Sequence, residues 1–260
     1  MKELLLSEIN NNGVDPFQAV ALIEEYIFNS SVDLEQIKLL AEHCNNEVSD
    51  EENSLDRAEK LINEIYVHQL FIDQKRSLWS VASHQVQDAL AFRIISPVLK
   101  SILLKNIIEH CGFETDIVFV PEKVMVRINC DDDFAIIFDP VTGESLSWQD
   151  LDERLADFDN EPQDDFVQII GTKDTLFKHV SSLKNGLINE LQFDKALKCV
   201  DILLAMRPDD PFERRDRGFL LHQLDCFKVA CDDYRFFVEQ CPEDPAARLL
   251  KHQLDNVSIN

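Results

Sequence analysis

The sequence predicts a mainly helical α+β fold, in which a helical region carrying a small antiparallel sheet precedes an array of helix pairs. Three observations carry that expectation. Apolar residues recur at helical spacing as far as Gly112. Short runs rich in β-branched residues cluster between Asp116 and Phe138. Near the C-terminus, a set of positions repeats at one fixed interval.

The helices can be taken in order. Asp15-Pro16 supplies an N-cap and a proline suited to the first helical turn, ahead of Phe17, Val20, Ala21, Ile23 and Ile27. Asp33, with Gln36 three residues on, predicts a capping box for the next helix. The polar stretch Asn45 to Asn53 reads as a loop, after which Ser54 opens a helix with Leu55, Ala58, Leu61, Ile62 and Ile65 on one face. A further helix is expected over His84 to Phe92. Ser96-Pro97 begins another, and Gly112 is its stop.

Beyond Asp116 the period shortens. Val118–Val120, Val124–Ile128 and Phe134–Phe138 read as three antiparallel strands, punctuated by Pro121 and by Asp131 to Asp133. A helix is expected over about Ser147 to Ala156, followed by an acidic connector. The domain reading is residues 1–160, a connector at 161–171, and a helical array over 172–260.

Within the array, Phe193, Ala196, Pro208 and Pro211 return in the same order and spacing as Phe227, Ala230, Pro242 and Pro245. That interval, with a small residue ahead of a proline at the end of each unit, is the tetratricopeptide helix-pair signature. The alanine is small because two helices cross there. Gly218 fills the second small site of one unit, and Lys184 holds the matching place one unit earlier. Two units and a final helix are fewer than a free solenoid needs, so the array is expected to pack against the first region.

Composition narrows the function classes. The chain has 260 residues, 25 Lys+Arg against 49 Asp+Glu, a net charge of −24 and 45% apolar content. A globular protein is expected, without a general basic surface for nucleic acid or an anionic membrane. No apolar run reaches the ~20 residues of a membrane helix, and the N-terminus does not read as a signal peptide, so a cytoplasmic location is expected. Residues 131–165 carry 13 acidic and one basic side chain, whereas 171–260 hold 15 and 13.

Seven cysteines without CxxC spacing predict no disulfide framework and no zinc site; Cys199, Cys231 and Cys241 read as inert core thiols. G-x-G-x-x-G, P-loop and H-E-x-x-H sequences are missing, and no cofactor or metal is expected.

The order of these elements, with Arg93 and Pro97 ahead of an apolar helix, PEKVMVR at 121–127, FDPVTGESL at 138–146, RDRG at 215–218, QLDC at 223–226 and FVEQCPEDP at 237–245, resembles a bacterial family. It is the YchA-type family of transglutaminase-like/tetratricopeptide repeat proteins, and the likeness runs over roughly residues 50 to 255. The resemblance implies a papain-like arrangement, with a Cys nucleophile at a helix start, a His on one strand and an Asp on the next. Set on this sequence, those places fall at Ser96 or Pro97, at Lys123 and at Asp139. The thiol and the histidine are missing, which implies a degenerate cleft and a non-catalytic adaptor. Two alternatives stand: a hydrolase or acyltransferase acting through Ser96, Lys123 and Asp139, or a small-molecule sensor that binds in the same cleft.

In the array, the groove-facing positions of the first helices fall near Ser181, Asn185 and Ile188, and near Arg215, Phe219 and His222. Arg214, Arg215 and Arg217 place three guanidiniums in four residues. Such forks suit a carboxylate-bearing partner, an acidic peptide segment above all, or else they clamp the array to the acidic connector.

Overall fold

The computed structural model describes residues 2–9, 14–120, 123–131, 134–146 and 167–257. The expected helix at 147–156 and the acidic part of the connector lie outside the described residues.

The N-terminal region opens with α1 (Lys2–Ile9) and α2 (Pro16–Phe28). Asp15 caps α2 as expected, its Oδ1 accepting from the Phe17 amide at 2.9 Å. The next helix, α3 (Glu35–Val48), differs at both ends from the sequence reading. Leu34 sits at its cap without a side-chain bond, and Asp33 accepts instead from the Glu35 amide, so no capping box with Gln36 forms. At its other end the helix runs on through the expected loop, because Cys44 and Val48 continue the buried stripe of Ile37 and Ala41. α4 (Ser54–Asn63) begins where expected, but Asn53 is the cap, bonded to the Leu55 and Asp56 amides. A π turn over Glu64–His68 extends it and swings Ile65 and Tyr66 inward. A 3-10 turn (Val81–His84) and the short α5 (Val86–Phe92) follow.

Helix α6 (Pro97–His110) is the centre of the region, burying Leu99, Ile102, Leu103, Leu104, Ile107 and Ile108. It ends at Gly112, whose φ of +83° only glycine adopts without cost. The sheet packed on it contains β1 (Glu114–Val120), β2 (Lys123–Asn129), β3 (Ala135–Phe138) and a fourth strand that the sequence reading missed, β4 (Gln168–Ile169). The order is β3-β2-β1-β4, all antiparallel, with Ile117 opposite Val126 and Val118 opposite Ile169. Residues 168–169, read as connector, are therefore part of the sheet. Across β1 and β2, Arg127 pairs with Asp116 at 2.6 Å.

The array comprises α7 (Thr172–Asn189), α8 (Phe193–Met206), α9 (Pro211–Gln223), α10 (Phe227–Gln240) and α11 (Pro245–Val257). Ala196 and Ala230 are buried at the crossings. One hydrophobic core runs through both regions, joining Leu176, Val180, Leu183 and Leu187 of α7 to α2, α4 and α6. Polar contacts reinforce the junction. Lys198 of α8 donates to the carbonyls of Tyr26 and Ile27 at the end of α2, each at 3.0 Å. His84 meets the Ser182 hydroxyl at 2.8 Å, and Glu190 accepts from the Val81 amide. The array packs on the first region as the repeat count implied.

Four cysteines (Cys44, Cys111, Cys130 and Cys199) are buried and all seven are free. Cys231 and Cys241 are only partly covered and Cys226 is exposed, so two of the three expected core thiols lie at the surface of the array.

Candidate functional site

Two of the concave sites among the described residues bear on the sequence reading. The first is the cleft implied by the family pattern, a cavity of about 330 Å³ lined by Lys75, Arg76, Trp79, Pro97, Lys123, Val124, Asp139 and Val141. β3 ends at Phe138, and Asp139-Pro140 turns the chain so that Oδ1 of Asp139 accepts from the Val141 amide at 2.8 Å. Gly143 makes this turn possible: its φ is +78°, and a Cβ there would lie 2.6 Å from the Tyr66 ring. The Tyr66 hydroxyl donates to the Pro140 carbonyl at 2.8 Å and fixes the turn from the other side.

Asp139 and Lys123, two of the positions that the family resemblance implied, lie together, with Nζ to Oδ2 at 2.8 Å. Lys75 approaches the same oxygen at 3.9 Å. Burial opposes ionisation of Asp139, but the Lys123 and Val141 hydrogen bonds and the two lysine charges outweigh it and hold its pKa below the ordinary carboxylate value.

Ser96 is not brought to this pair's cavity. It is 1% exposed, its amide donates to the Ser83 carbonyl, and its hydroxyl has no hydrogen-bond partner among the described residues. The side-chain cap expected of it does not form either; Pro97 alone sets the first turn of α6. Among the described residues, the cavity lining contains no serine, cysteine or histidine.

Beneath the cleft lies Lys100, a residue the sequence reading did not single out. It is fully buried, and its Nζ donates to the carbonyls of Phe71 and Val141, beside the rings of Tyr66 and Phe71. Burial pulls its pKa down to about 8, against the attraction of Asp73 and Asp139. Its place on an otherwise apolar helix face is the signal that could have flagged it.

The second site is a larger groove of about 680 Å³ between the β1–β4 edge and α7. Ser181 and Asn185, two of the positions read as groove-facing, line it, whereas Ile188 does not and packs on the core. Lys178, one turn before them, completes the stripe, and its Nζ sits 4.3 Å from the Phe119 ring centroid. Arg207 lies over Phe177 and pairs with Asp174 at 2.7 Å.

The expected second-unit positions do not line this groove. Phe219 packs edge-on against Phe193, and His222 against Phe227. The arginines are taken up inside the second repeat: Arg217 forks onto Asp233 at 2.6 and 2.7 Å, Arg214 reaches the same carboxylate at 3.3 Å, and Arg215 holds Asp216 at 2.8 Å. Asp233 sits on α10, so the pairs it makes join α9 to α10. Among the described residues, none of the three arginines reaches the N-terminal region through an ion pair.

No group of three or more His, Cys, Asp or Glu among the described residues is placed to hold a metal ion. No described helix is long and apolar enough to cross a membrane.

The transglutaminase-like superfamily model matches residues 33–180, and a tetratricopeptide repeat model matches 183–255. The boundary between them falls inside α7, the helix that both regions share. A UPF0162 protein of Vibrio cholerae is 34% identical over 167 residues, 62% of this chain and 61% of that protein. UPF0162 protein YchA of Escherichia coli is 37% identical over 144 residues, 54% of each chain, and protein SirB1 of Salmonella typhimurium is 32% identical over 148 residues, again 54% of each. The chain thus spans between half and two thirds of the length of these relatives. No solved structure matches it. With cleft and repeat array both matched in place, the chain belongs to the transglutaminase-like superfamily, and UPF0162 proteins, YchA and SirB1 among them, are its relatives.

Proposed function

We propose that the protein is a non-catalytic cytoplasmic adaptor whose groove between β4 and α7 holds an acidic peptide segment of a partner protein. One observation carries this reading. Along a single stripe of α7, the side chains of Lys178, Ser181 and Asn185 face the groove, and none has a hydrogen-bond partner among the described residues. Polar groups left available in a concave surface are the ones a ligand satisfies. The arginine cluster, by contrast, is already engaged by Asp216 and Asp233. Among the described residues β4 is the edge of the sheet, so an extended segment entering the groove also meets a strand edge. Support for the absence of catalysis comes from Ser96, which is buried away from the Lys123–Asp139 pair's cavity.

The test is fluorescence anisotropy with labelled Asp/Glu-rich dodecapeptides, each with a free or amidated C-terminus. Binding to wild type that is lost in Lys178→Glu, with an unchanged melting temperature, supports the reading. No binding, or binding that survives Lys178→Glu but fails in Arg215→Glu, overturns it.

A further inference from the structure

Among the described residues, the cleft holds more positive charge than its carboxylates balance. Four cations surround it or underlie it: Lys75, Arg76 and Lys123 on the wall and Lys100 below the floor. Two carboxylates among the described residues answer them. Asp73 takes Arg76 at 2.8 Å, and Oδ2 of Asp139 takes Lys123 at 2.8 Å. Lys75 is left with a longer approach of 3.9 Å to that same oxygen, and its side chain is 60% exposed. Two ammoniums thus share one carboxylate oxygen, within a chain whose net charge is −24. Excess positive charge at a concave site in so acidic a protein opposes the overall field and favours an anion there.

The rest of the wall specifies the body of that anion. Trp79 presents an indole, with Pro97, Val124 and Val141 as further apolar surface. A cavity of about 330 Å³ lies at the small end of ligand sites, which suits a single ring. The Trp79 carbonyl lies against Gly186 of α7, where a Cβ would come within 3.2 Å of it. Arg76 lies over the indole at 5.7 Å, so cation and aromatic face are presented together.

We propose that this cleft binds a small aromatic anion, a carboxylate or a phosphate monoester, with its ring against Trp79 and its charge between Lys75 and Lys123. The site is separate from the peptide groove and does not depend on it.

The chain has two tryptophans, Trp79 and Trp148, so a Trp148→Phe background leaves Trp79 as the reporter. Its emission is followed while benzoate, phenyl phosphate or neutral benzyl alcohol is added. The expected result is a saturable change with at least one anion in the millimolar range or tighter, and none with benzyl alcohol. Lys75→Ala and Lys75→Gln, at an exposed position that leaves the fold intact, weaken it by about tenfold or more. Lys178→Glu leaves it unchanged. Tighter binding of benzoate assigns a carboxylate ligand, and tighter binding of phenyl phosphate a phosphate ester. Failure of both anions to saturate, an equal response to benzyl alcohol, or unchanged affinity in both Lys75 variants overturns the proposal.

Discussion

Lys184 of α7 donates to both carboxylate oxygens of Glu213 on α9, at 2.9 and 2.8 Å, with side chains only 3% and 7% exposed. It also reaches Asp216 at 2.6 Å. In the repeat frame Lys184 stands where the following unit has Gly218. There, the missing side chain lets α9 approach Tyr234 of α10. One position thus serves two kinds of joint: close packing within a unit, and a buried ion pair between successive first helices.

Removing one partner of that pair leaves charge buried without compensation. Lys184→Met is expected to cost about 3–5 kcal/mol in urea unfolding, and Lys184→Met combined with Glu213→Leu to recover most of the loss. A single-variant cost below about 1 kcal/mol rejects the pair as the joint between units.

Gly218→Ala tests the other joint. Its Cβ would lie 2.8 Å from the Tyr234 ring and 3.1 Å from the Ala230 carbonyl. The usual helix gain of about 1 kcal/mol over glycine is outweighed by an overpacking cost of about 1–3 kcal/mol. The melting temperature is expected to fall; a rise means that the helices separate freely.

Acid loosens the junction between the two regions. His179 of α7 is fully buried beside His84; burial first, and the neighbouring His84 second, push its pKa down to about 3. The unfolded chain takes up this proton near pH 6.5 while the folded chain does not, so stability is lost as pH falls from about 6.5 towards 3. By pH 5 the loss amounts to about 2 kcal/mol. His179→Leu should show a shallower fall in urea midpoint between pH 7 and 5 than wild type, and parallel curves exclude His179 as the cause.

The repeat array was legible because its spacing is a local pattern, and three strands were legible because each has enough β-branched residues to declare a period. β4 was not, since two residues carry no period and their strand character comes from pairing with β1. Helix α3 outran its expected end because burial of Val48 overrides the polar run around it. In the cleft, Lys123 and Asp139 were placed by motif order, but Ser96 was judged by its position ahead of a helix, which does not reveal which way its hydroxyl faces. The arginines show the same limit. Their density suggests a ligand, while the answering Asp233 lies a helix away. Phe119, across the groove from Lys178, is distant in the chain, and nothing in its neighbourhood links the two.

The pairing of β4 with β1 also sets an order of events during synthesis. Val118 leaves the ribosome well before its partner Ile169. Until then the outer edge of β1 is an open strand edge, followed by a long acidic stretch that is itself a poor partner for aggregation. Because Ile169 is followed at once by α7, the residues that close the sheet emerge just ahead of the first repeat helix. A chain that stops short of residue 168 therefore lacks the strand that covers β1 and keeps that edge open.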